Sequence, residues 1–507
     1  MNRVSRVLSL AALFLINPVH LGAADAFKSP VQGVNTRIAN TGQKQTTIAP
    51  RSGIEKARVL RLRPYERLPE TEVSFKPFGR LLTIGTELSI ETEQRRDLAF
   101  ATAPDDLNRL EGELKLSFFY HVSDYSAAFV KLEGIRQYDE EPEANETETK
   151  SQWSRAQMWF YTGGWAGDTL GIQIGRQNFI DDREWWWDKN LDALRIHYDT
   201  ESVHVEAGIA QQLSRASSVP ARIDPQQDQV LRIISSATWM HNPDHEASLF
   251  VLLQHDHSET EAAGDRVNRT NRDKSDLDAA WIGVRRQGKF RLGKLGRLYY
   301  WLDLGLLAGR EKNIDYDSIS PQQSLVDSVE AQDLRAAGID IGAIWKTRLP
   351  GEISFTLSFA AGSGDSDLDD GTDQAYRQTG LQGNEGKFRG VSGFHYYGEL
   401  LRPELSNIGI TTLGYGFRFL ASSSIDLVFH HYQQLDAADE IRGARLERNP
   451  DGNNTEIGTE LDLILGIEEW KNLEFDLVFS RFKAGDAFNG FKGETAFKLN
   501  LDLSYRF

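Results

Sequence analysis

Charged side chains in the last stretch of the chain occupy positions that a soluble protein would bury. From 496 to 507 the sequence alternates strictly, so Lys498, Asp502 and Arg506 share one face while apolar residues such as Leu501 share the other. A Lys or Arg that faces lipid at the membrane midplane costs about 2–4 kcal/mol, so these charges need water beside them. The chemistry that this pattern allows is ionic contact with a solute inside a water-filled lumen.

Catalytic and metal-binding motifs are weak in this sequence. We find no Ser-His-Asp or paired-carboxylate arrangement specific enough to name a reaction, so we predict no enzyme and no cofactor. The acidic stretch 365–371 resembles a calcium loop, but its glycine comes one place late and position twelve is Tyr376, so the EF-hand pattern fails. His255 and His430 lack metal-ligand spacing. We predict no metal site, and a loosely held divalent cation at 365–373 stays an open question.

Three consecutive tryptophans, 185–187, allow two interpretations. They could form a platform on which sugar rings stack at the mouth of a pore. They could equally pack inside a loop or anchor the protein at the membrane interface.

The rest of the chain repeats the same alternation in short segments. We count eighteen strands, with short connections such as 122–124 and 470–472 alternating with long acidic ones such as 363–407. Short periplasmic turns and long extracellular loops are typical of outer-membrane barrels, and an even strand count keeps both termini in the periplasm. We therefore predict an all-β fold, a single 18-stranded antiparallel transmembrane β-barrel of the outer membrane over residues 79–507.

The requirement for an even number of strands also decides the assignment of one doubtful segment. Residues 395–401 resemble a further strand, but counting it would put one terminus outside the cell, so we assign it to the connection before Ile408. The predicted strands are 80–91, 109–121, 125–138, 154–163, 169–179, 191–199, 202–212, 229–240, 246–257, 277–287, 297–310, 333–347, 352–362, 408–420, 424–434, 458–469, 473–483 and 494–507.

The N-terminal part of the chain precedes this pattern. Residues 1–26 have the features of a secretory signal peptide, because two arginines precede an apolar core at 7–16 and Ala24-Asp25-Ala26 offers a cleavage site. Residues 27–78 are irregular and partly basic, and we predict a flexible periplasmic extension. The alternative is a segment that enters the pore or docks a periplasmic partner. A secreted barrel belongs in the bacterial outer membrane.

Composition supports a closed barrel. Beyond the leader, no apolar run reaches the roughly 18 residues of a membrane-spanning helix, and lipid leaves no partner for an open sheet edge. The 507 residues include no cysteine, so disulfides do not stabilise the fold, and the net charge of -17 argues against nucleic-acid binding.

Six stretches, taken in chain order, carry a family resemblance. They are Gly175-Arg176-Gln177 with Trp187-Asp188-Lys189-Asn190; Gly362-Ser363-Gly364 with Gln378-Thr379-Gly380-Leu381; Gly398-Glu399 with Arg402 and Glu404-Leu405-Ser406-Asn407; Ile457-Gly458-Thr459-Glu460-Leu461-Asp462-Leu463; Phe482-Lys483-Ala484-Gly485-Asp486-Ala487-Phe488; and Tyr505-Arg506-Phe507. They resemble the outer-membrane alginate export porins of Gram-negative exopolysaccharide producers. That family is described as an eighteen-stranded barrel whose electropositive constriction passes an anionic polyuronate.

The resemblance implies which residues line such a constriction. The matching positions are Lys115, Arg155, Arg176, Asp188, Arg402 and Asp502. A ring of cations attracts a polymer that has one carboxylate per sugar, and neighbouring acids weaken each contact. The alternation places Lys115, Arg155 and Asp502 on the luminal face. Arg176 has the parity of lipid-facing residues, so either a bulge at Gly175 turns it inward or it lies above the lipid band.

The chain also departs from the family pattern. Asn178, Gly393 and Asp476 stand where the family has further arginines, although Arg389 or Arg481 could compensate. The periplasmic connection between the sixteenth and seventeenth strands is shorter than the family's loop. A polysaccharide exporter is therefore a firmer expectation than an alginate exporter.

The resemblance implies a passive channel that exports an anionic exopolysaccharide, alginate or a related polyuronate. The alternative is a selective porin for the uptake of small anionic nutrients. The expected partners are the polysaccharide, outer-membrane lipid and lipopolysaccharide, with a periplasmic scaffold of a polysaccharide secretion complex as a further candidate. We expect no nucleic-acid partner and a monomer.

Overall fold

The computed structural model describes residues 64, 68–69, 71 and 73–507, apart from 101–105, 143–145, 220–222, 259–260 and 368–369. The predicted signal peptide 1–26 and most of the predicted extension 27–78 lie outside these residues. Residues 368–369 of the acidic stretch 365–371 also lie outside the described residues.

Within the described chain, eighteen long antiparallel strands form a closed barrel. Each pairs with the next along the chain, and the first strand also pairs with the last, which closes the wall. They are β1 (Leu82–Arg96), β2 (Leu107–Ser123), β3 (Ser126–Glu141), β4 (Glu146–Trp165), β5 (Leu170–Ile180), β6 (Asp188–Asp199), β7 (Val203–Ala210), β8 (Val230–Asn242), β9 (His245–Asp256), β10 (Ser275–Arg291), β11 (Arg297–Ser318), β12 (Gln323–Lys346), β13 (Ser354–Gly362), β14 (Ile408–Phe419), β15 (Ser423–Gln434), β16 (Glu456–Trp470), β17 (Leu473–Ala484) and β18 (Thr495–Arg506).

The predicted fold class, strand count and strand order are confirmed. The largest difference is the hairpin of β11 and β12, which continues through the predicted loop 311–332 to a turn at 319–322. Residues 395–401 lie in the connection between β13 and β14, as the parity argument predicts.

The wall has an apolar outer face and a polar inner face. In β16, Leu461 and Leu463 are exposed while Glu460 and Asp462, at the alternate positions, are buried. This is the arrangement of a strand with lipid on one side and polar contacts on the other. The helical turns in the described part of the chain have three residues each, and none is long or apolar enough to cross a bilayer.

The connection 363–407 folds back into the barrel. Its residues Tyr376 and Phe388 are buried, and Phe388 stacks on Trp301 of β11 with ring centroids 6.5 Å apart. Near the tip, Lys387 Nζ lies 3.5 Å from Glu468 Oε1, at the periplasmic end of β16. This extracellular connection therefore runs almost the full depth of the lumen.

Glycines in the wall make room for this connection. A Cβ atom at Gly338 of β12 would collide with the Tyr376 ring, and one at Gly466 of β16 would collide with Ser392. These strands could not carry larger side chains at these positions without displacing the connection.

A second extracellular connection, 181–187, also turns inward. Trp185, Trp186 and Trp187 are buried, and Trp186 stacks on Phe250 of β9 at a centroid distance of 5.0 Å. The tryptophans therefore pack inside the barrel, so loop packing is the interpretation that the structure favours.

Residues before the barrel reach its periplasmic mouth. Ser74–Phe75 pairs with the first residues of β1, and Leu68 packs against an inward cluster that includes Phe119 and Trp159. The described part of the predicted extension thus contacts the luminal wall.

Candidate functional site

A buried ion network fixes the inward connections to the wall of β10–β12. Arg285 Nε lies 2.7 Å from Asp303 Oδ1 and its Nη1 lies 2.5 Å from Asp181 Oδ1, while Arg183 Nη2 lies 2.8 Å from Asp340 Oδ2. Burial alone would raise the pKa of Asp181, but the Arg285 charge holds that pKa below its usual value. Because an unpaired buried charge is costly, each ion here depends on its partner.

The connection 363–407 joins the same network. The Tyr397 hydroxyl donates to Asp340 Oδ2 over 2.9 Å, and the Arg183 guanidinium stacks over the rings of Trp301 and Tyr396 at 4.3 and 4.9 Å. Both inward connections are therefore anchored to the same side of the barrel.

The opposite side of the lumen carries ion pairs that remain partly exposed. Lys115 Nζ lies 3.0 Å from Glu87 Oε1 and 2.8 Å from Glu113 Oε2, and Arg506 Nε lies 2.8 Å from Glu87 Oε2. Asp502 lies on the same inner face, where it accepts a 2.8 Å hydrogen bond from Ser504. The predicted residues Lys115 and Asp502 thus face the lumen.

A cationic cluster lies where the connection 363–407 meets β1 and β18. Lys498 Nζ and Arg402 Nη2 each lie 2.7 Å from Glu399 Oε2, and Arg95 Nη2 lies 2.5 Å from Glu93 Oε1. Burial alone would raise the pKa of Glu399, but the Lys498 and Arg402 charges hold that pKa well below its usual range. Glu399 therefore stays ionised between two cations.

Arg445, from the connection between β15 and β16, adds a further cation to the cluster. Burial, together with the charges of Arg402 and Arg95, lowers the pKa of Arg445 to about 10. Among the described residues, no acceptor reaches Arg95 Nε, Arg402 Nε or Arg445 Nη1. Arg402, Arg445, His395 and Glu385 line a cavity of about 260 Å³.

The cluster is therefore positive and keeps donors to spare. Arg95, Arg402, Arg445 and Lys498 face the buried carboxylates of Glu93 and Glu399, and Arg402 Nη1 also lies 3.9 Å from the exposed carboxylate of Glu385. Guanidinium groups with uncommitted N–H donors can bind a carboxylate through two parallel hydrogen bonds. This arrangement has the charge and the donor groups to bind a carboxylate.

The structure corrects the expected position of Arg155. Arg155 Nη2 and Arg176 Nη1 lie 3.6 and 3.7 Å from Asp192 Oδ1, on the outer face of the wall. Asp192 shares that face with Leu194, and Arg176 is paired with the exposed Met158. The prediction that Arg155 faces the lumen is therefore wrong.

A bulge explains this error. Lys131 pairs with Gln157 while Leu132 pairs with Arg155, so Ala156 is an extra residue that reverses the alternation in the upper part of β4. For Arg176, the pairing of β5 with β6 continues without a shift through Gly175, so nothing turns this side chain inward. Of the two positions considered for Arg176, the outer one is observed.

The remaining predicted residues are dispersed. The backbone N–H of Asp188 donates to Leu381 O over 2.6 Å, and Asp188 Oδ1 accepts from Asn178 over 2.9 Å, so this acid holds the inward connection. Arg402 lies in the cationic cluster, apart from Lys115. The six predicted residues therefore do not form one ring.

Arg389 and Arg481, which could replace the missing family arginines, lie in different places. Arg389 lines a luminal cavity of about 560 Å³ near the periplasmic end, where it stacks on Tyr299 at 3.5 Å. Arg481 is exposed and paired with Phe497 on the outer face, so it cannot compensate inside the pore. Asp476 faces inward and accepts a hydrogen bond from Ser392.

Sequence reasoning placed Lys498 on the luminal face but did not include Lys498, Arg95 or Arg445 among the constriction residues. Lys498 and Arg95 had a usable signal, because strict alternation puts Lys498 on the same face as Asp502 and Arg95 on the same face as Glu93. Arg445 lies in a long connection without periodicity, and its position depends on how that connection folds.

An eighteen-stranded barrel with an apolar outer face and a charged lumen is an outer-membrane channel of the porin class. The family model for alginate export matches residues 80–502, and the chain belongs to that family. It is 24% identical over 456 residues to the alginate production protein AlgE of Pseudomonas aeruginosa PAO1, covering 83% of this chain and 91% of the relative. It is 23% identical over 365 residues to AlgE of Pseudomonas syringae pv. tomato, covering 66% and 71%.

Solved structures of similar shape include the Pseudomonas aeruginosa protein OprD. The comparison with OprD gives a TM-score of 0.49 at 9% identity, and covers 84% of this chain and 95% of that chain.

Proposed function

We propose that this protein is a passive outer-membrane channel that exports an anionic polysaccharide, alginate or a related polyuronate. The observation that carries the proposal is the cationic cluster of Arg95, Arg402, Arg445 and Lys498, placed inside a barrel of the alginate export family. The relatives' name, alginate production protein, agrees with this substrate class.

The cluster can select charge and still release the polymer. The positive charge of Arg402 and Arg445, which line a cavity, attracts a uronate carboxylate, while Glu93 and Glu399 compete for the cations of the cluster. Conduction needs binding that is favourable enough for entry and weak enough for exit. The interleaved carboxylates weaken each contact, so that successive sugars exchange along the lumen.

Removing charges from the luminal face, and as a control from the outer face, tests this proposal. The double variant Arg402→Gln and Arg445→Gln should lower anion selectivity and weaken block by uronate oligomers, because it removes two of the four cations of the cluster. The measurements are single-channel conductance in planar bilayers, reversal potential in a salt gradient, and titration with oligouronates.

The matched control removes two charges from the outer face. Arg155→Gln and Arg481→Gln together change the net charge equally, but both side chains lie outside the lumen. Selectivity should stay as in the wild type. If the two double variants behave alike, or if the inner pair leaves selectivity unchanged, the proposed role of the cluster is wrong.

One observation favours uptake of small anions as the second candidate. The connection 363–407 fills one side of the lumen down to the periplasmic end, which narrows the path for a polymer. A deletion strain separates the two functions. Loss of secreted polymer supports export, whereas normal secretion with loss of growth on one small anionic carbon source supports uptake.

The proposal extends to the surroundings of the channel. Lipid and lipopolysaccharide surround the wall, a periplasmic scaffold of a secretion complex delivers the polymer, and the channel acts as a monomer without catalysis or nucleic acid. Cross-linking in intact cells tests the scaffold and the oligomeric state. A purified sample incubated with polyuronate should leave the polymer length unchanged.

A further inference from the structure

Three aspartates meet at the extracellular ends of β9 and β10. Asp256 is the last residue of β9, Asp276 is the second residue of β10, and Asp273 belongs to the connection between them. One carboxylate oxygen from each residue lies within 4.8 Å of the other two. The chain thus brings three acids together at the base of an extracellular loop.

The Asp273 carboxylate has one oxygen that lacks a hydrogen-bond donor among the described residues. Its side chain is buried, and among the described residues no hydrogen-bond donor reaches its Oδ1 atom. Ser258 Oγ supplies one hydroxyl to the group, 2.7 Å from Asp256 Oδ1 and 3.2 Å from Asp276 Oδ1. A buried carboxylate oxygen without a donor requires either a proton or a cation.

The electrostatics of the group agree with this requirement. Burial, together with the charges of Asp256 and Asp276, raises the pKa of Asp273 to about 7. Lys312 Nζ lies 3.6 Å from Asp276 Oδ2, and its side chain is 47% exposed, so it offsets only part of the charge. A bound cation would relieve the repulsion among the three carboxylates.

The ligand chemistry indicates the kind of cation. Calcium accepts irregular sites built from carboxylate and other oxygen ligands, whereas magnesium demands near-ideal octahedral geometry and usually keeps several waters. Three carboxylates with a hydroxyl beside them therefore fit calcium better. We propose that Asp256, Asp273 and Asp276 bind one calcium-sized divalent cation through their carboxylates.

This site differs from the motifs singled out in the sequence. It does not use 365–371, and it does not use the histidine next to Asp256, because His255 Nδ1 instead lies 2.7 Å from Asp278. The cation would hold the connection 257–274, whose segment Arg266–Asn268 pairs with β12. The site is independent of the proposed transport function.

Terbium luminescence tests the site directly. Tyr316 donates to the backbone oxygen of Asp273 over 2.6 Å, so a Tb³⁺ ion bound there has an aromatic sensitiser beside it. The purified full chain is washed with chelator, dialysed, titrated with Tb³⁺ under aromatic excitation, and then challenged with Ca²⁺ or Mg²⁺. We expect saturable emission that Ca²⁺ displaces at about 10⁻⁴–10⁻³ M, as for extracellular calcium modules, and that Mg²⁺ displaces less well.

Three variants decide the assignment. Asp273→Asn and Asp276→Asn should each abolish the saturable emission, while Asp315→Asn, which changes an exposed acid bonded to Ser328, should keep it. Heat-dependent gel migration verifies that each barrel is folded, and Asp276→Asn provides the test if Asp273→Asn does not fold. Emission that persists in a folded Asp273→Asn or Asp276→Asn variant, or that Asp315→Asn loses equally, overturns the proposal. So does the absence of saturable emission in the wild type.

Discussion

The two sides of the lumen hold ion pairs of different kinds. Beside β10–β12 the side chains of Arg285 and Asp303 are each 0% exposed, and aromatic rings surround them. Beside β1 and β2 the side chains of Lys115 and Glu87 are 26% and 23% exposed. The same chemistry therefore has a structural role on one side and remains accessible to a solute on the other.

The difference follows from where the inward connections lie. A buried pair cannot lose one partner without leaving an uncompensated charge, so it holds the connections tightly in place. A partly exposed pair is screened by water, so it is weaker than a buried one and can exchange partners with a passing anion. Rigidity on one side thus defines the shape of the path that the other side keeps open.

The largest expected effect comes from breaking a buried pair. Arg285→Ala leaves Asp181 and Asp303 buried without their main partner, which should cost about 3–5 kcal/mol. We expect a lower thermal midpoint and faster proteolysis of the connections 181–187 and 363–407. The measurements are heat-dependent gel migration and limited proteolysis of the purified barrel.

Lys115→Ala provides the matched comparison on the exposed side. It should cost clearly less stability than Arg285→Ala, because Glu87 keeps Arg506 as a partner and both Glu87 and Glu113 are partly exposed. It should shift ion selectivity instead. Equal losses of stability in Lys115→Ala and Arg285→Ala would contradict the distinction between the two sides.

Removing the tip of the deep connection should have the next largest effect. Replacing residues 386–394 with a short Gly-Ser linker takes away the contacts of Lys387 and Phe388 near the periplasmic end. Single-channel conductance should rise about twofold or more, because the tip occupies one side of the path. An unchanged conductance would mean that current flows entirely beside β1–β9.

The smallest effect is expected from acidification. Burial, with the nearby charge of Arg402, lowers the pKa of His395 to about 3, whereas an exposed histidine titrates near about 6.5. Since the pKa of His395 is lower in the folded protein than in the unfolded chain, the stability that neutral His395 contributes is fully present above a pH of about 6.5. This stability is lost as the pH falls toward 3. The connection 363–407 should therefore become more protease-sensitive between those values.

His395→Gln should reduce this pH dependence, because it removes the titrating group. Proteolysis with an acid-active protease at several pH values measures the effect. A wild-type protein whose sensitivity stays constant from pH 7 to pH 3 would contradict the inferred role of His395.

The fold was predictable from sequence to a greater extent than the site. Strand positions follow from alternation, which is local, so eighteen strands could be counted without tertiary information. One extra residue, Ala156, was enough to move Arg155 to the opposite face, because a bulge leaves no mark in the alternation of types. Arg445 depends on the folding of an irregular connection, which periodicity does not describe.

The outward-facing charges of Arg155, Arg176 and Asp192 limit the height that the lipid hydrocarbon can reach beside β5–β7. Charged side chains are tolerated near the interface but not at the midplane, so the apolar band ends below them. β7 has only eight residues. At about 3.3 Å per residue and a tilt of about 40°, such a strand rises about 20 Å, short of the usual apolar height of about 25 Å. We therefore expect the bilayer to thin locally beside β7, which would make the protein prefer thinner or more compressible lipid.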